Sequence, residues 1–520
     1  MDDKKSTTSY DEIPYPNNAY CESTPENCYT IARLFKLNPP NYRKASILEL
    51  GCARGGNIIP LAHAYPDSEF VGIDLSKKQI ETGQKQIDEL NLTNIQLRNM
   101  SILDADRSLG EFDYIICHGV FSWVDNTVQE KILSLCNELL SANGIAYVSY
   151  NTLPGWNSLR TIRDMMKFHT REITVPKTRA QQARAVLDFV LAGSQEKHSS
   201  HTDFLREEAR KLAEVQDNYL LHDHLEVENN PVYFYQFIET AERQNLQYLA
   251  DTSLSTMFTG NLPTETADKL RGLENLVKTE QYMDFMRDRR FRRSLLCRRE
   301  QMIHRNIKTT DIQHYYLSMP LPDDAITEEQ INGDAILRLS SRGINYKVED
   351  PFSKQVIGIL LQQKRKPMHF DDLCQHLQQI KGLDLEDIRE RLFNKVNLIH
   401  LLFSDVINIH SDAGSDTTTV TDFPTVSGLA RYQCKAGHRI TNLRHQNVQL
   451  KEPEQWVLVA ADGSKSLTDL AKMLSDKVDS GEFKLGPHIS KNARSTLEQC
   501  QLYITEMIRW LAENGLLTKK

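Results

Sequence analysis

Residues 47–57 read Ile-Leu-Glu-Leu-Gly-Cys-Ala-Arg-Gly-Gly-Asn, an apolar run that carries one acidic residue and ends in a cluster of small ones. A strand that ends in a glycine turn ahead of a helix, in an open parallel sheet, places a ligand at the carboxyl edge of the strands. Glycines at such a turn let the backbone come close to the ligand and supply conformations other residues avoid. Twenty-three residues beyond Gly51, Asp74 closes a second apolar run, where a carboxylate can accept both hydroxyls of a ribose. Gly51-x-Ala53-x-x-Gly56 loosely matches the dinucleotide fingerprint, which needs a helix N-terminus aimed at a pyrophosphate. The same residues also read Glu49-x-Gly51-x-x-x-Gly55, with the acidic residue inside the strand end. Both readings put a nucleotide-like cofactor here.

Five short apolar runs, at 47–50, 70–73, 95–97, 114–117 and 145–149, must position these groups. A helix pattern over 76–90 opens with Ser76-x-x-Gln79, the capping-box spacing. Another over 127–141 carries Ile132, Leu135, Cys136, Leu139 and Leu140 at helical spacing. Apolar strands alternating with helices predict crossover units and a mainly parallel α/β sheet covered on both faces.

The order of segments separates the two readings. Phe112-Asp113-Tyr114-Ile115-Ile116-Cys117-His118-Gly119 resembles the fourth-strand segment of class I S-adenosylmethionine-dependent methyltransferases, and residues 49–55 resemble their motif I. The similarity extends to Tyr10–Tyr15, to 149–156 (Ser-Tyr-Asn-Thr-Leu-Pro-Gly-Trp), to 282–287 with Phe291 and Arg292, and to 441–445. These segments resemble the subgroup with a methyltransferase regulatory domain, whose best-described members are rickettsial outer-membrane-protein lysine methyltransferases. The resemblance implies S-adenosyl-L-methionine as cofactor, a Rossmann-like sheet domain, a helical regulatory domain and winged-helix-like C-terminal regions. By carry-over, Glu49, Gly51, Cys52, Ala53, Gly55 and Asn57 border the methionine side. Asp74 and Leu75 take the ribose, Ser101 and Ile102 the adenine, and His118 and Gly119 the reactive end. Tyr15 is counted with the cofactor-binding residues, and with Tyr10 and Tyr20 it forms either a lid or a mobile tail. Tyr150, Asn151, His118 and Trp156 are the expected catalytic group. Aromatic walls favour a sulfonium and an ammonium through their π-faces, and Asn or Tyr oxygens can orient a nitrogen. Ala53 stands where many such enzymes have a second glycine, and a small residue still fits.

The chain has 520 residues, which at roughly 150 per domain suggests three or four domains. The expected boundaries are an N-terminal segment 1–45, a cofactor domain 46–165, a helical regulatory domain 166–310, a mixed winged-helix-like region 311–411 and a mostly helical 412–520. The net charge of −8 argues against a protein that grips a phosphate backbone. The nine cysteines are scattered with no C-x-x-C pair, so no metal site is expected. No apolar stretch approaches a membrane span and the N-terminus has no signal-like run, which predicts a cytoplasmic protein. Asn38-Pro39-Pro40-Asn41 lies ahead of the first strand and reads as a helix-ending proline pair. The arginines at 287, 289, 290, 292, 293, 298 and 299 fall on what reads as an amphipathic helix with Phe285, Phe291, Leu295 and Leu296, hence a solvated or interdomain face. The resemblance points to a protein substrate, an outer-membrane protein met before export, and admits a homodimer. A small-molecule or other macromolecular methyltransferase, or a catalytically silent nucleic-acid-binding module, is the alternative.

Overall fold

The computed structural model describes residues 17–193, 199–320, 330–331, 333, 336–341, 344–483 and 495–519. Tyr10 and Tyr15, expected in a lid or a tail, lie outside the described residues. All five apolar runs are strands: β1 (Ser46–Leu50), β2 (Glu69–Asp74), β3 (Ile95–Asn99), β4 (Phe112–Cys117) and β5 (Leu140–Leu153). They pair in parallel in the order β3-β2-β1-β4-β5. Their near-continuous apolar character follows from burial on both faces. Ile47, Tyr147 and Leu295 face a core with Cys28, Ile31 and Leu34 of helix Pro25–Leu34. Leu48, Ile115 and Val148 face the opposite core, with Ile132 and Leu135 of helix Asn126–Leu139 and Phe237 of helix Phe234–Arg243.

The sheet does not stop at β5. Residues 166–310 are expected as a helical domain, yet β6 (Val232–Tyr233), β7 (Leu246–Asp251) and β8 (Phe291–Arg298) join the sheet. β8 runs antiparallel along the far edge of β5, β7 runs antiparallel to β8, and β6 extends the end of β5 in parallel. Helix Leu276–Arg287 ends at Asp288 in the left-handed conformation, and β8 begins three residues later. The arginine-rich helix is therefore a helix end followed by a strand; Arg292 is interior, Arg287, Arg289, Arg290, Arg293 and Arg298 are half-buried, and Arg299 is exposed. Arg292 is fully buried over the ring of Phe234 and bonds Asp284 (2.7 and 2.9 Å) and Glu280 (2.9 Å). Arg289 reaches Asp251 at 2.7 Å, and Arg290 reaches Glu208 at 2.9 Å.

Helices Gly155–Thr170, Pro176–Gly193 and Ser200–Glu214 pack around Ile162, Met166, Leu187 and Leu205 beside the end of β5. Further on, β9 (Tyr316–Ser318) pairs with β12 (Met368–His369) and β13 (Asn408–His410), and β10 (Leu337–Ser341) pairs with β11 (Ile344–Val348). The C-terminal core is built by helices Gly428–Ala436, Leu467–Asp479 and Thr496–Glu513, with a two-stranded wing of β14 (Arg439–Thr441) and β15 (Asn447–Gln449). Among the described residues no helix is long and apolar enough to cross a membrane.

Candidate active site

The carboxyl ends of β1, β2, β4 and β5 open onto one cavity of about 830 Å³, inside the usual range for small-molecule sites. The turn after β1 is built from left-handed residues, Gly51 (φ 74), Ala53 (φ 50) and Gly55 (φ 81). At Gly51 a Cβ would lie 2.4 Å from Val120 Cγ2, so only glycine lets the strand end meet the β4 loop. Asp74 fastens the turn from the neighbouring strand, since its Oδ2 accepts from Ala53 N and its Oδ1 from Ser76 N, each at 2.8 Å. Ser76 in turn caps helix Lys77–Glu89 by accepting from Gln79 N at 3.2 Å, one half of a capping box, while Gln79 Oε1 makes no return bond.

Glu49 sits at the floor with only 4% of its surface exposed. Its Oε1 accepts from Asn57 Nδ2 at 2.9 Å, while Oε2 has no hydrogen-bond partner. Burial, with Asp74 nearby, pushes its carboxyl up to about 8. A buried carboxylate oxygen without a donor is a site that wants a cation. Beside it, His118 stacks on Tyr20 with ring centroids 3.6 Å apart and meets the Tyr147 hydroxyl at 2.8 Å through Nδ1. Burial first, then Arg293, depresses its imidazole to about 3, so it is neutral at physiological pH.

A second wall comes from outside the parallel sheet. Trp156, which follows β5, meets Trp123 edge-on at 6.2 Å and stacks on His224 at 6.3 Å. His224 and His222 lie in a wide, π-helical turn at Leu220–His224, a distortion frequent at functional sites. His224 is buried, its Nδ1 has no hydrogen-bond partner, and burial holds it down to about 4. Tyr219, Asp223 and Glu208 also line the cavity. Glu208 is gripped by both Arg290 and Lys211, at 2.9 Å each, which holds its carboxyl below the usual range.

Of the residues expected from sequence, Glu49, Gly51, Cys52, Ala53, Asn57, Asp74, Leu75, Ser101, Ile102, His118, Gly119, Asn151 and Trp156 line this one cavity. Gly55 does not. It packs under Ile59 and Leu97, where a Cβ would lie 2.5 Å from Ile59 Cδ1. Tyr150 does not either. Successive strand side chains point to opposite faces, and Tyr150 points away, buried against Phe237 at 4.1 Å with its hydroxyl 3.1 Å from Ser294. Asn151 is positioned through its backbone N–H to Ser122 Oγ (2.8 Å) and its amide to Asn229 (3.1 Å). Sequence reasoning missed Trp123, Glu208 and the group at 219–224. The crowding of Tyr219, His222, Asp223 and His224 into six residues was the available signal.

The chain matches three family models: "Methyltransferase domain" over residues 48–146, "Predicted methyltransferase regulatory domain" over 216–298 and "PKMT, C-terminal winged helix domain" over 422–516. It is 37% identical to the uncharacterized protein RP789 of Rickettsia prowazekii over 518 residues, which cover 98% of this chain and 93% of that protein. It is also similar to the solved structure of PKMT2 from Rickettsia typhi in complex with AdoHcy. There the TM-score is 0.87 at 34% identity, covering 97% of this chain and 100% of that one.

Proposed function

Since this chain belongs to the class I S-adenosylmethionine-dependent methyltransferases with a methyltransferase regulatory domain and a PKMT C-terminal winged helix domain, we propose that it methylates lysine side chains of a protein substrate. The observation that carries the lysine reading is the second wall of the cavity. Past the strand edges, the space is bounded by Trp123, Trp156, Tyr219 and His224, with Asp223 on the same lining and Glu208 already neutralised by Arg290 and Lys211. Aromatic faces and a carboxylate together suit an incoming ammonium. The full-length likeness to PKMT2 supports the same choice. The outer-membrane class of substrate is proposed on the sequence resemblance alone.

The residues present fit S-adenosylmethionine. The unpartnered Oε2 of Glu49 would hold the methionine ammonium, Asp74 the ribose hydroxyls, and Ser101 and Ile102 would border the adenine. When bound, the cofactor supplies an electrophilic methyl on a sulfonium. His118, neutral and stacked on Tyr20, adds an aromatic surface near that cation without opposing it by charge. A free lysine titrates near pH 10.4, so the protein must favour the neutral amine. Burial against the wall that Trp123 and Trp156 form does so by penalising the charged form. The bare Nδ1 of His224 can accept one amine N–H and leave the lone pair free for in-line attack. Transfer would replace one amine proton by the methyl, the proton leaving for solvent.

Calorimetric titration of S-adenosylmethionine into wild type and Asp74→Ala tests the cofactor half, with binding by wild type alone expected. The substrate half is tested with Trp156→Ala, expected to keep cofactor binding and lose transfer of a radiolabelled methyl. Acid hydrolysis of the labelled product should return methyl-lysine. Label on any other residue, or full activity of Trp156→Ala, would sink the lysine reading.

A further inference from the structure

The segment 441–445, singled out in the sequence, is absorbed by neither wall of the cavity as read above, yet it lies against the cofactor domain. It forms the tip of the wing between β14 and β15. Arg444 holds the tip to its own domain through Asp416 (2.8 and 3.1 Å) and the Glu513 carbonyl (3.1 Å). Asn442 adds a bond to the Asn514 carbonyl at 2.9 Å. The tip is thus a rigid projection, and what it projects is His445, left-handed (φ 55) and 7% exposed.

His445 Nε2 lies 2.8 Å from Asn57 Oδ1. That same oxygen accepts the backbone N–H of Tyr20 at 3.0 Å. A backbone N–H can only donate, so the amide is oriented: its oxygen faces Tyr20 and His445, and its nitrogen faces Glu49. Nε2 of His445 must then carry the hydrogen. Burial, which depresses this imidazole to about 3, keeps it in that neutral form. Two residues on, Asn447 grips the backbone of Ala19 at both ends, accepting from its N–H at 3.0 Å and donating to its carbonyl at 2.8 Å. Between these grips lies Tyr20, whose ring covers His118.

We propose that the wing of the C-terminal domain is a positioning element of the cofactor site, with His445 orienting Asn57 toward Glu49 and Asn447 clamping the segment that carries Tyr20 over the cavity floor. This rests on reading the cavity as the place of S-adenosylmethionine. A wing that commits its tip to another domain of its own chain serves as an internal clasp. Cofactor affinity in the full-length protein then depends on a domain that contributes nothing to the parallel sheet.

The test is calorimetric titration of S-adenosylmethionine into full-length His445→Ala and Asn447→Ala, with Asp74→Ala as the control for the cavity. Each wing variant loses hydrogen bonds that fix a binding group, so an affinity loss of about tenfold is expected, with kcat at saturating cofactor within about twofold of wild type. His445→Gln, whose amide N–H can donate in place of Nε2, should recover most of that affinity. Hydrogen exchange at the Tyr20 amide should speed up in both alanine variants. Wild-type affinity in both, with Asp74→Ala unable to bind, would overturn the clasp and leave the cavity reading standing. Wild-type affinity in Asp74→Ala would bring down the cavity reading and the clasp with it.

Discussion

Replacing Glu49 by glutamine should make the cofactor-free protein more stable while stripping it of cofactor binding. The carboxyl is pushed from an ordinary value of 4.5 to about 8 because it is buried and one oxygen lacks a donor. Between those two pH values the folded chain keeps a proton that the unfolded chain has released. Stability contributed by this group therefore falls as pH rises through that window, with no penalty below about 4.5 and the full penalty above about 8. At 1.36 kcal/mol per pKa unit, the penalty at pH 7 is about 3 kcal/mol. Glutamine has no proton to release, and its carbonyl can still accept the bond that Asn57 Nδ2 gives Oε1 at 2.9 Å. Thermal melts of cofactor-free wild type and Glu49→Gln should separate by several degrees at pH 7 and converge near pH 4. In the same variant, calorimetry should show S-adenosylmethionine binding at least about a hundredfold weaker, as for the loss of one partner of a buried charge pair. Wild-type binding at pH 7 should release close to one proton, measured by comparing buffers of different ionisation enthalpy. Equal melting of the two proteins at pH 7, or a gap that persists at pH 4, would refute the account of Glu49 as a carboxyl held protonated until a cation arrives.

Ala53→Gly should raise stability by about 0.5 kcal/mol, because the strain of a left-handed alanine (φ 50) exceeds the extra freedom glycine gives the unfolded chain; denaturant melts measure it, with cofactor affinity unchanged. Arg292→Ala leaves Glu280 buried without its cation and Asp284 with only the longer contact to Arg289 at 3.7 Å, and should cost about 3–5 kcal/mol, seen as loss of the cooperative melt at moderate temperature. His224→Phe keeps the stack on Trp156 but removes the bare Nδ1, so kcat for a lysine peptide should fall about tenfold or more with cofactor affinity retained. Equal kcat would show that His224 only packs.

The parallel half of the fold was legible because the strands covered on both faces are nearly continuous apolar runs, and because Ser76 and Asp74 act within a few residues of where they stand. β8 was not. Its inward positions include Arg292, which sheet burial permits only with Glu280 and Asp284 in place, and those partners belong to a helix that sequence alone cannot dock. A run of arginine with phenylalanine and leucine then mimics an amphipathic helix. The end of β5 was read short for a similar reason, since Asn151 and Thr152 look like loop residues until Ser122 and Val232 satisfy them. In the cavity, the local motif gave Glu49, Gly51 and Asp74. Tyr150 was chosen by nearness in sequence, and strand parity sends it to the other face. The second wall depends on packing across many residues. His445 was visible in a motif, but its partner lies 388 positions away, a distance no local pattern spans.

The antiparallel addition of β8 to β5 has a consequence for biosynthesis. β5 is the longest strand of the sheet, 14 residues, and during translation its outer edge emerges well before Phe291–Arg298 is made. Until then it presents a row of unpaired N–H and C=O groups on a largely apolar strand, a template for pairing with another nascent chain. Helices Gly155–Thr170 through Ser200–Glu214 are synthesised in that interval and cannot supply the missing ladder. Fragments that stop between β5 and β8 should therefore aggregate more readily than those that run past Arg298: the exposed edge is closed only when one arginine-bearing strand leaves the ribosome.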